Sequence, residues 1–527
     1  DGSALVANDM HLTLRVPSLW FRTRLIYPSS VDSLHDITGA SLPGVPAMII
    51  GSNRNIAWSF TNSYGDFADW VRITVDPDNE DRYLGSSGWK SIELSNEIIK
   101  VRNAPDATLI VRETKWGPII ATDHDETPLA LNWTALHPEA VNLHLTELAH
   151  AKTADEAVEI VQLAGMPVQN FIVGDDAGNI SWTIAGRLPK RAGDYDPQLP
   201  TDWSNADIGW NGWLDAANYP VMRNPVSQRL WTANARIVDR AMLNVLGDGG
   251  YDLGARAGQI RDGLFMYEQF TPKDLYAIQL DHRAIFITRW YDLLESSLNQ
   301  ADDTPLVTIL KQSLNNWDGL ASVDSVAYRV VRAYRYEVIK IVLDGFAAEV
   351  RRHHPSFQLP KLNQAEHAVW KIIEQRPQHL LPPAFENWDE LLLSCAIQIA
   401  DQLQNQPGGI AARSWGERNR ASIKHPLSQN LPSFIANWLD MSPDPLPGDS
   451  NMPYVQSPDF GASQRSVVAP GKEEEGFFDM PGGQSGHPLS PYYGSGHSNW
   501  VGGNPTPFLP GSPEQVLQLM PAGAQPD

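Results

Sequence analysis

Cysteine is almost absent from this chain. Among 527 residues there is one, Cys395, so an internal disulfide cannot form. Cys395 stands in the apolar run 391–397, and we expect it in the core because a free cysteine behaves as a small hydrophobic residue. Long apolar runs are also missing, since none reaches the ~18 residues that a membrane-spanning helix needs. The sequence therefore offers neither a disulfide framework nor a helical membrane span.

Basic residues are also scarce. The chain has 40 Lys and Arg against 62 Asp and Glu, a net charge of −22. Phosphate backbones and acidic lipids repel such a surface, which argues against a nucleic-acid or membrane partner. The excess of carboxylates permits a cation site. It is equally explained by a solvated acidic surface that keeps the protein soluble.

The compact catalytic motifs are absent too. The chain has no His-Glu-x-x-His zinc helix, no phosphate-binding glycine loop and no Gly-x-Ser-x-Gly nucleophile elbow. Hydrophobic residues make up 42% and charged residues 19%, which is enough for a large core. Any active site must therefore be assembled from segments that lie far apart in the sequence.

Periodicity and turn signals divide the chain into three regions. Residues 1–254 are rich in short β-like runs, residues 255–405 have mostly helical spacing, and residues 406–527 are rich in Pro and Gly with short strand-like pieces. Capping patterns predict helices after Thr153 and after Thr271, and the spacing predicts a long helix over 325–352.

The chain starts in an unusual way. Asp1-Gly2-Ser3 leads directly into a strand-like segment, without an initiator Met or a charged-then-apolar signal sequence. We therefore expect a processed or truncated chain.

A series of short polar and glycine-containing motifs follows a fixed order along the sequence. The motifs are Ala7-Asn8-Asp9-Met10-His11, Leu42-Pro43-Gly44, Gly51-Ser52-Asn53, Gly65-Asp66-Phe67-Ala68-Asp69, Pro167-Val168-Gln169-Asn170, Thr232-Ala233-Asn234, Gly254-Ala255-Arg256 and Gly461-Ala462-Ser463-Gln464-Arg465. In this order they resemble the β-subunit of the penicillin acylase family of N-terminal-nucleophile hydrolases. The resemblance covers essentially the whole chain.

The resemblance implies an α+β fold, a four-layer αββα sandwich, with an added mostly helical region. It also implies an amide hydrolase whose nucleophile is a serine exposed by self-cleavage, which we expect upstream of residue 1. Ser3 does not match that serine. A serine hydroxyl needs an adjacent base, and a free α-amine with a pKa near ~7.7–8.0 can act as that base.

Four residues match the catalytic positions of the family. Asn62 matches a backbone N–H donor of the oxyanion hole, and Asn234 matches its side-chain donor. His11 matches a residue beside the nucleophile, and Arg256 matches an arginine that orients the oxyanion donor or the substrate. The sequence leaves simpler roles open: a turn for Asn234, a structural hydrogen bond for His11 and a surface salt bridge for Arg256.

The family also implies a calcium site. Its ligands would be the carboxylates of Asp66, Asp69 and Asp248 and the carbonyls of Ala68 and Pro197. Calcium takes six to eight oxygen ligands, so a mixture of carboxylates and carbonyls suits it. Solvated turn aspartates are the alternative.

The resemblance further implies an α-subunit from the same precursor, a small N-acyl substrate such as a penicillin or an acyl-homoserine lactone, and a bacterial periplasmic location. Leu19, Trp20, Phe21 and Phe60 are candidates for lining the substrate pocket or for the core. Two other functions stay open. One is an inactive relative that acts as a binding or scaffold protein, and the other is a carbohydrate-active protein, suggested by 18 Trp and the acidic composition.

Overall fold

Strands form where β-branched and aromatic runs alternate with short turns. The computed structural model describes residues 2–30 and 33–519. Its strands are β1 Val6–Asn8, β2 His11–Thr13, β3 Phe21–Ser30, β4 Ser33–Ser41, β5 Ile50–Ser52, β6 Ile56–Asn62, β7 Ala68–Arg72, β8 Val75–Asp76, β9 Asn79–Gly85, β10 Gly88–Ser91, β11 Glu93–Ile99, β12 Ala107–Thr114, β13 Gly117–Thr122, β14 Pro128–Trp133, β15 Gln169–Asp175, β16 Ile180–Ala185, β17 Pro189–Ala192, β18 Thr201–Asp202, β19 Gly209–Trp213, β20 Val221–Arg223, β21 Phe460–Ala462, β22 Arg465–Val468 and β23 Phe477–Asp479.

Helices occupy much of the middle of the chain. They are α1 Ala154–Leu163, α2 Arg240–Leu246, α3 Ala255–Leu264, α4 Pro272–Gln279, α5 Ile285–Asn299, α6 Pro305–Leu314, α7 Val326–His353, α8 Ala365–Gln375, α9 Trp388–Gln404, α10 Trp415–Arg418, α11 Ser433–Leu439 and α12 His497–Gly502. No helix within the described residues is long and apolar enough to cross a membrane.

Three predicted helix starts are confirmed by their caps. Thr153 Oγ1 accepts a hydrogen bond from Glu156 N at 3.2 Å. Thr271 forms a complete capping box at the start of α4. The side chain of Ser325 accepts from Tyr328 N at the start of α7. Each cap satisfies a backbone N–H that the helix cannot, which is worth about 1 kcal/mol.

A seven-stranded antiparallel sheet, in the order β20-β16-β15-β6-β5-β4-β3, forms the centre of the molecule. Successive side chains of β6 point to opposite faces. Trp58 and Phe60 pack against α1 residues such as Val158. Ala57 packs on the other face against Val6 and Val468, which belong to the sheet β1-β22-β23.

The small sheet is covered in turn by helices. Val467 of β22 and Phe477 of β23 pack against Leu275 and Tyr276 of α4. The layers are therefore α1, the large sheet, the small sheet and α4 with α3, which confirms the predicted α+β class and αββα arrangement. Pairing of β1 with β22 brings residues 6–8 beside residues 466–468.

Two further units extend from this core. Helices α5, α6, α7 and α9 pack around a separate apolar cluster. Cys395 lies fully buried in that cluster, as predicted, and burial raises the pKa of its thiol to about 12. The second unit is the sheet β11-β12-β13-β14-β7-β18, which begins where the chain leaves β6 for β7. The boundaries 254/255 and 405/406 stay predictions.

Candidate functional site

The segment 232–234 turns sharply beside the end of β6. Ala233 and Asn234 adopt left-handed backbone angles, with φ of 58° and 62°, and asparagine tolerates this conformation better than most residues. Thr232 Oγ1 donates to Thr61 Oγ1 at 3.1 Å, and Asn234 Nδ2 donates to Asn62 O at 3.0 Å. Both bonds hold the Asn234 amide against the last residues of the central strand.

Arg256, near the start of α3, orients that amide. Its Nη2 donates to Asn234 Oδ1 at 2.8 Å and to Ala233 O at 3.1 Å. Because a guanidinium only donates, the atom that faces it must be the amide oxygen, and the amide nitrogen faces Asn62. The nitrogen carries a second N–H beyond the one given to Asn62. A defined N–H donor is therefore presented at the end of β6.

His11 holds Arg256 from the opposite side. Arg256 Nη1 lies 2.9 Å from His11 Nδ1, and His11 Nε2 lies 3.1 Å from Asp9 Oδ2. The guanidinium must donate, so Nδ1 accepts, Nε2 carries the proton and the imidazole is neutral. Both ring nitrogens thus have partners within the protein. His11 therefore helps to hold Arg256 in position, and its predicted place beside the nucleophile stays a prediction.

Burial favours the neutral form of His11. Burial lowers the pKa of His11 below its usual value of 6.5, and the nearby cations Arg256 and Arg465 act in the same direction. The Asp9 carboxylate opposes this effect. A protonated ring would have to give up the Arg256 bond, because both nitrogens would then donate.

These residues line one side of a cavity of about 790 Å³. Its walls are mainly apolar and come from the central sheet, the small sheet, the segment 140–146 and helices α3 and α4. Its lining includes Asn8, His11, Asn62, Asn234, Arg256, Leu19, Trp20, Ile49, Phe60, Val141, Leu143, Met166, Trp231, Ile260 and Ile278. An apolar cavity with a few convergent polar groups at one place is the usual form of a small-molecule site.

Three of the four pocket candidates line this cavity, and one does not. Leu19, Trp20 and Phe60 contribute to its wall. The expectation for Phe21 was wrong. Its side chain is 53% exposed and lines a separate groove, because strand alternation turns it away from Trp20.

The residues predicted to bind calcium lie where the chain passes from the central seven-stranded sheet to the six-stranded sheet that contains β7, which we call the outer sheet. This place is the junction of the two large sheets. Asp66, between β6 and β7, and Asp69, in β7, are both buried, and burial raises the pKa of Asp66 to about 6. The segment that carries Asp248 lies beside Asp66, because Asp66 N donates to the carbonyl oxygen of Leu246, two residues before Asp248, at 2.7 Å. Gln198 Nε2, next to Pro197, donates to Asp248 O at 3.1 Å. Ala68 is the first residue of β7.

The donor set at this junction does not fit calcium. Arg191 places Nε 3.1 Å from Asp69 Oδ2 and Nη2 3.2 Å from Asp69 Oδ1, so both oxygens of that carboxylate face N–H donors. Arg191 Nη2 also lies 3.2 Å from Asp66 Oδ1. Calcium requires six to eight oxygen ligands facing inward.

Sequence reasoning missed three residues that organise these two places. Asp9 pairs with His11, Asp252 Oδ2 accepts from Arg256 Nη2 at 3.0 Å, and Arg191 joins the two aspartates. The four-residue spacing of Asp252 and Arg256 gave no helical signal, because Asp252 lies before α3 begins at Ala255. Arg191 lies 122 residues from Asp69 and gave no local signal.

The chain is similar to known proteins along nearly its whole length. A sequence model of the family described as penicillin amidase matches residues 1–516. Penicillin acylase 2 proenzyme from Pseudomonas sp. (strain SE83) is 25% identical over 95% of this chain and 64% of its own length. Acyl-homoserine lactone acylase QuiP from Pseudomonas aeruginosa is 24% identical over 99% of this chain and 67% of its own length.

A solved structure gives the same result for the fold. Thermostable penicillin G acylase from Alcaligenes faecalis superposes with a TM-score of 0.69 over 98% of both chains, at 18% identity. The chain spans about 64% of the length of the penicillin acylase 2 proenzyme. From its fold and from the family match over residues 1–516, we conclude that this chain belongs to the penicillin amidase family.

Proposed function

We propose that this chain is the larger part of an amide hydrolase that removes an acyl group from a small N-acyl substrate. The observation that carries the proposal is the Asn234 amide, fixed by Arg256 beside Asn62 at the wall of an apolar cavity. A cavity of this kind suits an acyl chain, and a fixed N–H donor suits the oxygen of the amide that is cleaved.

The nucleophile in this proposal is an N-terminal serine that lies upstream of residue 1. Its hydroxyl attacks the amide carbonyl carbon, and its own α-amino group accepts the hydroxyl proton. The tetrahedral intermediate collapses when the C–N bond breaks and the leaving amine takes that proton. Water then hydrolyses the acyl ester by the reverse proton path, which releases the acid and restores the serine.

The contacts of the described residues support the roles that we propose for them. Asn234 Nδ2 and the backbone N–H of Asn62 stabilise the oxyanion. Arg256 positions Asn234, and His11 with Asp9 positions Arg256. Preorganised donors matter because they need no rearrangement as charge develops on the oxygen.

The remaining parts of the proposal rest on the relatives. They are named a proenzyme and acyl-homoserine lactone acylases, which supports self-cleavage of a precursor and an N-acyl substrate of the penicillin or acyl-homoserine lactone type. An α-subunit from the same precursor and a periplasmic location belong to the same proposal.

The test is to express the full gene and to analyse the product by intact mass, N-terminal sequencing and a hydrolysis screen over penicillins and acyl-homoserine lactones. We expect two chains, the larger beginning with serine shortly before Asp1, and release of a free acid from at least one substrate class. The Asn62→Ala variant is the matched control for Asn234→Ala, because it removes a neighbouring amide side chain but keeps the backbone donor.

A single uncut chain without hydrolytic activity would overturn the proposal and leave an inactive relative that binds small molecules. In that case the cavity would still bind an acyl compound, and Asn234→Ala would change affinity rather than turnover.

A further inference from the structure

We propose that the Arg191 guanidinium serves as a built-in cation between Asp66 and Asp69, so that this chain holds the junction of its two large sheets without calcium. The inference concerns the stability of the fold. It does not rest on the proposed hydrolysis.

The contacts of Arg191 reach both aspartates. Nε and Nη2 approach the two oxygens of Asp69 at 3.1 and 3.2 Å, in the two-point geometry that a guanidinium and a carboxylate favour. Nη2 also donates to the backbone oxygen of Asp66 at 3.1 Å and lies 3.2 Å from Asp66 Oδ1. One planar cation therefore links two buried acids and one carbonyl.

The surroundings of Asp69 complete a shell of donors. Trp210 Nε1 donates to Asp69 Oδ2, and Tyr195 O–H donates to the same oxygen at 3.4 Å. The Arg191 guanidinium also lies 5.9 Å from the centre of a Trp210 ring. Arg191, Trp210 and Tyr195 therefore all donate hydrogen bonds to the Asp69 carboxylate. A calcium ion would instead require oxygen atoms pointing at it.

The third acid, Asp248, is directed elsewhere. Its Oδ1 accepts from Gly250 N at 2.9 Å, and its carbonyl accepts from Gln198 Nε2. Within residues 2–30 and 33–519, acidic and histidine ligands gather in a group of three only at 123–125. Asp66 Oδ2 is the one buried oxygen at the junction that lacks a partner in the described chain, and a single oxygen does not make a calcium site.

Arg191 also connects this junction to the candidate active site. Asp66 lies four residues after Asn62, at the point where the chain passes from β6 to β7. Because β17 supplies Arg191 and β7 supplies Asp69, the ion pair holds the β17-β19 hairpin against the outer sheet. The path of the chain directly beyond Asn62 is then fixed by the protein's own charge.

The test measures metal content and thermal stability of the protein expressed from its full gene. We expect no stoichiometric calcium by elemental analysis. The unfolding midpoint should be the same with EGTA as with about 5 mM CaCl₂, a concentration that would fill even a weak calcium site with a Kd of roughly 1 mM. In Arg191→Ala the two acids lose their cation, so the variant melts lower. Calcium should then raise its midpoint by on the order of 2–4 °C.

Two controls define the effect. Arg191→Lys keeps a positive charge and should show no response to calcium, whereas adding Asp69→Asn to Arg191→Ala should abolish the response. A wild-type protein that carries one calcium per chain, or that melts lower in EGTA, would overturn the proposal. This wild-type measurement decides the matter even if Arg191→Ala fails to fold.

Discussion

Arg256 and Arg191 are both largely buried, with side chains 9% and 16% exposed, yet they use their charge differently. Arg256 donates mainly to neutral acceptors, namely an amide oxygen, a carbonyl and an imidazole, and to the single carboxylate of Asp252. Its Nε has no partner among the described residues. Arg191 faces two carboxylates. Arg256 thus gives most of its hydrogen bonds to neutral groups, whereas Arg191 is bound mainly by carboxylates.

We interpret Arg256 as part of the proposed ligand site and Arg191 as a contact that stabilises the fold. A region that must stabilise a transient anion benefits from donors that are held in place but not already neutralised. A region that links two sheets benefits from complete pairing, because an unpaired buried charge is costly. Burial alone would not have distinguished the two arginines; the chemistry of their partners does.

The largest expected effect is on stability at Arg191. Arg191→Ala leaves two buried carboxylates without their cation, and breaking such a pair costs about 3–5 kcal/mol. Denaturant unfolding at neutral pH measures this loss. Arg223→Ala is the reference, because it breaks the exposed pair of Arg223 and Asp155. A loss in Arg191→Ala no greater than in this reference would remove the distinction between the two arginines.

The next effect is on catalysis at Asn234. Asn234→Ala removes the proposed side-chain donor to the oxyanion, and loss of one such donor typically costs about 2.7–4 kcal/mol in transition-state stabilisation. Turnover should fall on the order of 10²–10³-fold with little change in KM. Steady-state kinetics of the processed enzyme measure this, with Asn62→Ala as the control that should stay near wild type. Equal losses in the two variants would contradict the assigned roles.

A smaller effect follows from weakening the support of Asn234. Arg256→Lys keeps the charge but replaces a forked donor with a single ammonium, which cannot satisfy Asn234 Oδ1, Ala233 O and His11 Nδ1 together. An unsatisfied buried acceptor costs about 1–3 kcal/mol. We expect kcat to fall while KM changes little, and a change confined to KM would place Arg256 in substrate binding instead.

The smallest effect is the pH dependence that comes from His11. Its pKa in the folded chain is lowered, so below pH 6.5 the unfolded chain binds more protons than the folded chain. Stability therefore falls as the pH drops through 6.5, by at most about 1.4 kcal/mol per pH unit, until the folded pKa is reached.

The matched variant for this prediction is His11→Gln, which can accept from Arg256 and donate to Asp9 without titrating. The free energy of unfolding should fall more steeply for wild type than for the variant between pH 7.5 and 5.5. Parallel pH profiles would show that His11 is protonated in the folded protein.

Local signals in the sequence were sufficient for the helix starts and for the core position of Cys395. Thr153 and Thr271 form the caps that their spacing predicts, because capping depends on residues three positions apart. The order of motifs predicted the fold class and gathered His11, Asn62, Asn234 and Arg256, which the structure brings into one network.

Contacts between distant segments could not be predicted from local patterns in the sequence. Arg191 reaches Asp69 only because a hairpin folds back on the outer sheet, and no periodicity signals that return. Asp9 was overlooked because its role depends on which nitrogen of His11 carries the proton. Phe21 was misplaced because its neighbour Trp20 faces the cavity and the strand alternates.

The most direct test of the proposed function is a crystal structure of the protein expressed from its full gene, with an alkylboronic acid bound to the proposed N-terminal serine, because the tetrahedral boronate imitates the transition state. We expect a boronate oxygen about 2.7–3.1 Å from Asn234 Nδ2 and from the backbone nitrogen of Asn62, with the alkyl chain in the apolar cavity. A boronate oxygen directed away from both atoms, with the Asn234 amide unused, would contradict it.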